Sequence, residues 1–579
     1  MKTHTNKYRG YIRITALMAI ILGCLVFALM INVAQAAGPL FVSNSGNDAN
    51  DCLSSGTACA TIQAAIGKAS AGDTINIASG NYTENIVIDK SLTLAGAGAS
   101  STTIVPAISA PAPCSGGSLC GGAASNIILV QADDVTIHDM TLDGDNPALT
   151  GGIDIAGANI DARNGVIKNT TLTFNGLDVY NTTVKNIYLR GIYSTGGSFN
   201  FHGNIVTNVQ GDPYGSIAMF AWYGPGIMAN NTVSYATDAI SANHSNGIQF
   251  LNNTVTNSQS GVHTDNAGDA GGAADLIQGN NVSNCTPGGY GVWTFVPYIA
   301  PTVDHNTVTN CNVGLSAWAG SFSGPTVTTS FTNNTATGKP GDTGSVGAYI
   351  TTDSIGWGYT DVAVDFTCNV ITGFETGVYL TADEMPAWNP GPYAEKTITA
   401  NFSKNEISGN TVAGMDKGTA GGTINITAAN NWWGSSTGPY NAITNPAGTG
   451  NSIANGIAYT PWLNGSYCAK PDLKLSTEYA YWANPTDYAN GRLSLKLTVT
   501  NNGASPAYNV ILTGNSTITN NVTQGLTGWP IGLGDITING ESVTTPVDYD
   551  VSAMTGGSIF YASITGSAYD ACGNFWTYP

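Results

Sequence analysis

Residues 253–262 read Asn253-Thr254-Val255-Thr256-Asn257-Ser258-Gln259-Ser260-Gly261-Val262, and two parts of this stretch recur along the chain. The first part is an asparagine followed two positions later by valine or isoleucine. Its other copies begin at Asn204, Asn231, Asn280, Asn306, Asn369 and Asn405, with a weaker copy at Asn334. Successive copies lie 27, 22, 27, 26, 28, 35 and 36 residues apart. A repeat of this size, with longer loops inserted in places, is typical of the coils of a β-solenoid.

The second recurring part is a small residue followed by an apolar one. It occurs at Ala239-Ile240, Gly261-Val262, Gly291-Val292, Gly314-Leu315, Gly347-Ala348, Gly377-Val378 and Gly414-Met415. The small residue permits a tight corner, and the apolar residue then points inward at the start of a strand. The asparagine has a different role, because its amide can bond the same turn of the next coil. We therefore predict an asparagine ladder that holds the coils in register.

The composition excludes several classes of protein. The 579 residues include 18 Lys+Arg and 37 Asp+Glu, a net charge of −19, which leaves no surplus of cations for a nucleic-acid backbone. Only 9% of the residues are charged, too few for the solvent faces of long amphipathic helices. The hydrophobic content of 42% is too high for a disordered chain. These values predict an all-β protein with a polar, weakly charged surface.

Two groups of residues outside the repeats carry a resemblance to a known family. The first group is Phe41-Val42-Ser43, Ala60-Thr61-Ile62-Gln63-Ala64-Ala65-Ile66, Gly72-Asp73-Thr74-Ile75-Asn76-Ile77 and Gly80-Asn81-Tyr82. The second is Asn430-Asn431-Trp432-Trp433-Gly434-Ser435-Ser436-Thr437-Gly438-Pro439 with Tyr459-Thr460-Pro461-Trp462-Leu463. Over residues 39–463 the chain resembles the right-handed parallel β-helix proteins of the pectate-lyase-like superfamily.

This resemblance implies a single-stranded solenoid, a right-handed parallel β-helix with an N-terminal helical cap. Residues 61–69 have the apolar spacing of a short helix that could close the open end. The double tryptophan Trp432-Trp433 is interpreted as packing at the other end rather than as a ligand site. We assign residues 37–104 to the N-terminal cap and first coils and residues 105–467 to the β-helix.

The sequence pattern changes in residues 468–579, which contain strand-like runs such as 493–499 and a turn at Asn501-Asn502-Gly503. Asp472-Leu473 leading to Thr498-Val499-Thr500-Asn501 resembles the immunoglobulin-like, CARDB-like modules of microbial surface proteins. The resemblance implies a small β-sandwich that spaces or presents the main domain.

The N-terminus resembles a secretory signal. Lys2, Lys7, Arg9 and Arg13 precede an apolar run, and Ala34-Gln35-Ala36 fits the small-x-small cleavage rule, so residues 1–36 are expected to be removed. Two alternatives stay open: an uncleaved membrane anchor and lipidation at Cys24. No second apolar segment of this kind follows, so we expect no transmembrane segment in the mature chain and a secreted or cell-surface location.

The cysteines agree with export, because disulfides persist in oxidising compartments. Cys24 lies in the signal, which leaves an odd number of cysteines in the mature chain. Cys285 and Cys311 each follow a ladder asparagine by five positions, so they should lie in stacked coils about 4.8 Å apart. The candidate pairs are Cys52–Cys59, Cys114–Cys120, Cys285–Cys311 and Cys468–Cys572. Cys368 is then the odd thiol.

One row of side chains is a candidate binding surface. Residues one and three positions after each inward apolar residue should face solvent on the same sheet. The aromatic members are Tyr193, Phe220, Trp293, Phe295, Trp318, Tyr349 and Tyr379. Exposed aromatic rings stack on sugar faces, so this row predicts a polysaccharide-binding face. The alternative is that inserted loops around residues 320–324 and 382–393 cover the row and make it a second small core.

His263 and Asp265 lie in the middle of this row and are the candidate catalytic pair. Basic residues for a lyase mechanism are scarce, and the polygalacturonase motifs are missing, which weakens an enzymatic interpretation. No metal site is assigned, although Asp143-Gly144-Asp145 and residues 265–269 could hold Ca²⁺. Three hypotheses remain: non-catalytic binding or adhesion to a polysaccharide or cell-envelope glycan, a polysaccharide lyase, hydrolase or epimerase, and a structural spacer of the cell envelope.

Overall fold

A computed structural model describes residues 38–578 apart from 108–125, 147, 149–152, 156–157, 161–163, 169–173, 212–214, 270, 355–357, 359, 383–395, 419–420, 468–469, 504, 526 and 545. The expected signal at 1–36 with Cys24, and also Cys114, Cys120 and Cys468, lie outside the described residues.

Residues 40–427 form a right-handed parallel β-helix of three parallel sheets, which we number in the order the chain visits them within a coil. Sheet 1 has 14 strands: Leu40–Val42, Thr74–Ile77, Thr93–Gly96, Thr136–His138, Leu177–Tyr180, Phe199–His202, Gly226–Ala229, Gln249–Leu251, Leu276–Gln278, Thr302–Asp304, Thr328–Thr332, Val362–Thr367, Thr397–Ser403 and Thr423–Thr427. Sheet 2 has 12 strands: Gly80–Thr83, Thr102–Val105, Thr141–Asp143, Thr183–Ile187, Ile205–Val209, Thr232–Ala236, Thr254–Thr256, Asn281–Ser283, Thr307–Thr309, Thr335–Thr337, Val370–Thr372 and Glu406–Ser408. Sheet 3 has 12 strands: Ile86–Ile88, Asn126–Val130, Asn164–Lys168, Arg190–Thr195, Ile217–Trp222, Asp238–Asn243, Ser260–Asp265, Tyr290–Phe295, Val313–Trp318, Val346–Thr351, Thr376–Thr381 and Ala413–Lys417.

The strands are short because each coil must turn three corners, and their inward residues form one continuous core. In sheet 3 the predicted inward residues lie in a single register from Ile240 to Met415, and all of them are fully buried. Sheets 1 and 2 supply further rows, such as the stacked rings of Phe331, Phe366 and Phe402. The predicted alternation of side chains is therefore confirmed.

An asparagine ladder runs along the corner between sheets 1 and 2. In each step the amide oxygen of one asparagine accepts from both the backbone N–H and the side-chain N–H of the asparagine one coil earlier, at 2.8–3.1 Å. The members are Asn204, Asn231, Asn253, Asn280, Asn306, Asn334, Asn369, Asn405 and Asn431. The weak copy at Asn334 is a full member, and the ladder extends to Asn431 in the closing segment.

The N-terminal cap is the α-helix Ile62–Lys68, close to the predicted residues 61–69, preceded by a 3₁₀ turn at Ser55–Thr57. Thr61 caps the helix by accepting from Ala64 N at 3.2 Å. The Glu84 carboxylate, from the first coil, accepts from Ile62 N and Gln63 N at 2.8 and 2.9 Å. Ile62 and Ile66 are buried in the core, so the helix closes the end of the solenoid. At the other end Trp433 is fully buried, as the packing interpretation predicted.

Residues 473–578 form a small antiparallel β-sandwich with its own core. One sheet contains Leu473–Tyr481, Arg492–Asn501, Val547–Asp550, Thr523–Gln524 and Glu541–Val543. The other contains Ile531–Ile536, Ala507–Ile518, Ala562–Tyr569 and Phe575–Tyr578. A short hairpin, Ile153–Ile155 with Ala158–Ile160, is the remaining pair of described strands. No helix in the described part of the chain is long and apolar enough to cross a bilayer.

The disulfides confirm two predicted pairs and correct a third. Cys52 is bonded to Cys59, and Cys285 is bonded to Cys311 between stacked coils. Cys368 is bonded to Cys572 across 204 positions of sequence, so the prediction that Cys368 is an odd thiol and that Cys572 pairs with Cys468 is wrong.

The physical reason is that the sandwich packs sideways against the helix. His305 Nε2 and Asn574 Oδ1 are hydrogen-bonded at 2.8 Å, near the Cys368–Cys572 bond. His305 and Cys368 both occupy the turn that precedes a ladder asparagine, so the sandwich lies along the corner between sheets 1 and 2. In a three-sided coil this corner is opposite sheet 3.

Candidate functional site

The outer face of sheet 3 carries three rows of side chains, each in strand-to-strand register. The first row is Arg190, Ile217, Asp238, Ser260, Tyr290, Val313, Val346 and Thr376. The middle row is Tyr193, Phe220, Ser241, His263, Trp293, Ser316, Tyr349 and Tyr379. The third row is Thr195, Trp222, Asn243, Asp265, Phe295, Trp318, Thr351 and Thr381. The seven predicted aromatic residues lie in the middle and third rows.

Six half-buried rings from four successive coils form a continuous surface, which we call the aromatic face. Its members are Tyr290, Trp293, Phe295, Trp318, Tyr349 and Tyr379. Trp318 links the coils, because its ring centroid lies 6.4 Å from Trp293, 5.6 Å from Tyr290 and 5.5 Å from Tyr349. Tyr349 and Tyr379 are parallel, with a 3° interplanar angle at 6.3 Å. The rings therefore support one another and still keep part of their surface in solvent.

A charged cluster borders the aromatic face on the N-terminal side. His263 Nε2 lies 2.8 Å from Asp238 Oδ2, and His263 Nδ1 lies 2.8 Å from Asp265 Oδ1. The Trp293 ring stacks on the imidazole at 3.8 Å and 14°, and Trp293 Nε1 donates to Ser260 Oγ at 3.0 Å. The tryptophan thus covers the imidazole and connects this cluster to the aromatic face.

The electrostatics of this cluster are dominated by the two carboxylates. Burial of the imidazole lowers the pKa of His263, but the charges and hydrogen bonds of Asp238 and Asp265 outweigh burial and raise its pKa from 6.5 to about 10. His263 is therefore an imidazolium at neutral pH, with both N–H groups engaged. Asp238 Oδ1 is buried without a hydrogen-bond partner, so the cluster has an unused acceptor but no unused histidine donor.

Several residues that were expected to face solvent are buried, and they include Ser316 and Thr351 between the rings of the aromatic face. His263 is 4% exposed, Tyr193 is 4% exposed and Phe220 is 2% exposed. Tyr193 and Phe220 form a small core with Ile217, against which Leu129 and Trp222 pack. The Arg190 guanidinium lies 5.0 Å over the Phe220 ring. The prediction of an exposed surface is thus wrong for this end of the row, because neighbouring side chains cover it.

Two members of the site were missed in the sequence. Tyr290 and Asp238 each begin a strand of sheet 3, two positions before the inward apolar residue. The repeat pattern could have identified both residues, because the residue before each small-apolar corner is the first outward position of the strand. A third group, Trp222, Tyr223, His244 and Asp269, lies at the far ends of the strands, where His244 Nδ1 lies 2.5 Å from Asp269 Oδ2.

The candidate calcium turns do not assemble a metal site. Within the described ranges, no three His, Cys, Asp or Glu side chains come together in a way that could hold a metal ion. Asp143 is paired with Lys185 at 2.9 Å, and Asp269 is paired with His244. These carboxylates therefore already have cationic or hydrogen-bonding partners.

Neither a protein-family model nor a curated protein sequence matches this chain. Among solved structures, the Azotobacter vinelandii mannuronan C-5 epimerase AlgE6 A-module is similar at a TM-score of 0.44 and 14% identity, over 69% of this chain and 94% of that one. The catalytic unit of the Streptomyces thermodiastaticus strain HF3-3 GH87 α-1,3-glucanase gives a TM-score of 0.43 and 15% identity, over 71% and 68%. XylC in complex with xylose gives 0.40 and 10%, over 90% and 100%. These likenesses concern the fold and assign no activity to this chain.

Proposed function

We propose that this protein is an extracellular or cell-surface β-helix protein that binds polysaccharide through the aromatic face without altering it chemically. The observation that carries the proposal is the set of six half-buried rings held in register over four coils. Contiguous exposed aromatic surface is unusual in a protein that only needs to be soluble, and it marks a binding site. Rings of Trp and Tyr combine an apolar face with a polar edge, which suits a sugar ring and its hydroxyls.

The geometry favours a polymer over a single sugar. Neighbouring rings along the helix axis are 5.5–6.4 Å apart, and coils repeat at about 4.8 Å. A glycan lying along the axis would therefore meet a new ring at almost every sugar. Each contact is weak, and several in one chain give useful affinity because the later contacts are intramolecular.

The rest of the chain fits this proposal. Disulfides such as Cys52–Cys59 and Cys285–Cys311 persist in an oxidising compartment, which supports export after loss of residues 1–36. We propose the boundaries 37–104, 105–467 and 468–579 for the cap, the β-helix and an immunoglobulin-like module. In that arrangement the module holds the β-helix by the corner opposite sheet 3 and leaves the aromatic face outward.

A second candidate function is catalysis at the cluster of Asp238, His263 and Asp265. The observation in its favour is a pair of carboxylates hydrogen-bonded to opposite nitrogens of one imidazole beside a ring surface. Because the pKa of His263 is about 10, the imidazolium would act as a fixed cation. Asp265 or Asp238 would then be the group that exchanges protons with a substrate.

The test is a polysaccharide panel in which binding and newly released chain ends are measured together, with and without Ca²⁺. Binding without new ends is the expected result. New ends that disappear in Asp265→Asn but persist in Asp269→Asn would establish the catalytic alternative. Absence of binding to every polymer would contradict both functions and leave a structural spacer.

A further inference from the structure

The charges around the aromatic face are almost all of one sign. Between residues 191 and 395 the sequence contains a single lysine, Lys339, and no arginine. The same interval contains the carboxylates Asp212, Asp238, Asp265, Asp269, Asp275, Asp304, Asp342, Asp353, Asp361, Asp365, Glu375, Asp383, Glu384 and Glu395. The four coils of the aromatic face fall entirely inside this interval, so acidic residues outnumber basic ones in them and their net charge is negative.

The nearest cations are unavailable to a ligand. Arg190 is 1% exposed and lies over the Phe220 ring in the covered end of the row. His263 is 4% exposed, and both of its nitrogens are held by Asp238 and Asp265. Lys339 follows the sheet 2 strand Thr335–Thr337, outside the rows of sheet 3. No lysine or arginine therefore belongs to the outer rows of the four coils of this face; Lys417 ends the next strand of sheet 3, in register with the inward residue Leu380.

The polar groups that border the rings are also biased toward acceptors. The cluster of two carboxylates and one imidazolium presents mainly acceptors to solvent, because the His263 side chain is 4% exposed whereas those of Asp238 and Asp265 are 18% and 17% exposed. At the opposite end Asp416 is exposed and stands in register with Tyr379. A ligand that donates, through hydroxyl or ammonium groups, complements both ends, whereas a carboxylate complements neither.

We propose that the aromatic face selects polysaccharides without carboxylate groups, binds neutral and amino-sugar chains, and rejects polyuronates. This inference rests on the proposed function and names its ligand class. Rejection follows from charge repulsion, since a carboxylate on each sugar would pass over acidic coils that have no lysine or arginine in the outer rows of sheet 3. Neutral, amino-sugar and uronate polysaccharides can all stack on the rings, so their affinities should differ only through their charges.

The experiment compares polymers that share a backbone and differ in charge. The probes are hydroxyethyl cellulose, chitosan and C6-oxidised cellulose, together with polygalacturonate and its carboxyl-reduced form. Affinity of the full protein is measured with a chelator present and, separately, with Ca²⁺, at about 10 mM and about 1 M salt, where charges are screened over about 30 Å and about 3 Å. Within each series the neutral chain should bind at least about tenfold more tightly than the uronate at low salt, and high salt should narrow this ratio.

A charge variant makes the test specific to this face. Asp416→Lys should improve uronate binding several-fold at low salt, whereas Asp472→Lys, the same change on an exposed sandwich residue, should not. Uronate affinity equal to or above that of the neutral chain would overturn the inference, and so would uronate binding that appears only with Ca²⁺. If no polymer of either series binds, the proposed function itself fails, which is a different result.

Discussion

The two ends of the outer rows of sheet 3 have the same register and opposite environments. At the N-terminal end Tyr193 and Phe220 are 4% and 2% exposed and pack with Ile217 into a small core. At the C-terminal end the six rings of the aromatic face, Trp293 and Trp318 among them, stay half-buried over four coils. Register decides which way a side chain points, and the neighbouring side chains and loops decide whether solvent reaches it. A row of aromatic residues is thus a candidate binding surface only where nothing covers it.

The charged cluster marks the change between these two environments. Ser241 lies between Phe220 and His263 in the middle row, and Trp293 begins the open end by stacking on the His263 ring. Polar residues at this position interrupt the apolar row. The aromatic face therefore begins beside a fixed charge, and the covered core ends three coils before it, in the strand of Phe220.

The largest expected effect is on the covered end. Phe220→Ala removes a fully buried ring and should lower the free energy of unfolding by about 3–5 kcal/mol. Tyr349→Ala, in the same row of the open end, should cost less, about 1–2 kcal/mol, because part of its ring surface is already in solvent. Denaturant unfolding of both variants measures the difference. Equal losses would contradict the contrast between a core and a surface.

A nearly equal effect is expected at the boundary. His263→Gln leaves Asp238 and Asp265 without their shared cation, which should destabilise the protein by about 3 kcal/mol at neutral pH. Asp238→Asn/His263→Gln/Asp265→Asn removes the charges together and should recover part of this loss. If the triple variant is no more stable than His263→Gln, the cluster is not held together by charge.

The same cluster predicts a pH dependence. The folded-state pKa of His263, about 10, lies above its unfolded value of 6.5, so its contribution to stability is complete below pH 6.5 and is lost as the pH rises toward 10. The difference in unfolding free energy between the natural protein and His263→Gln should therefore shrink over this interval. A difference that is constant from pH 6.5 to pH 10 would contradict the raised pKa.

A smaller effect concerns how firmly the sandwich holds the β-helix opposite the aromatic face. Cys368→Ala/Cys572→Ala removes a link between segments 204 positions apart and should cost about 2–4 kcal/mol in the stability of the sandwich. Glycan affinity should not change, because this corner is remote from sheet 3. Loss of affinity would show that the aromatic face depends on the sandwich.

Much of the fold could be predicted from the sequence because its rules are local and repeated. An asparagine every coil forms a ladder, and an apolar residue after each corner, such as Val262 or Leu315, points inward. For Cys368 the same rules predict the direction of the side chain but not its disulfide partner. It occupies the turn before Asn369, where the chain has positive φ and other coils have Asn, Gly, His or Lys, so its side chain points away from the core. Its partner could not be predicted, because Cys572 belongs to a different domain.

The accessibility of the candidate site could not be predicted for the same reason. Tyr193 and Trp293 occupy equivalent positions in the repeat. The residues two positions away in the sequence do not show which of the two rings is buried. In this small core the cover comes partly from earlier coils, as with Leu129 and Tyr193, and partly from the same strand, as with Ile217 beside Phe220. The pKa of His263 also depends on Asp238, which is 25 positions distant and one strand away.

The most direct test of the account is the affinity of Trp293→Ala/Trp318→Ala for a polymer that the natural protein binds. The matched control is Trp482→Ala, which removes a 39% exposed tryptophan from the sandwich. The account predicts a loss of at least about tenfold in the double variant, about 1.4 kcal/mol or more, with an unchanged fold, and no loss in the control. Unchanged affinity in the double variant, or an equal loss in Trp482→Ala, would contradict the claim that the aromatic face is the binding site.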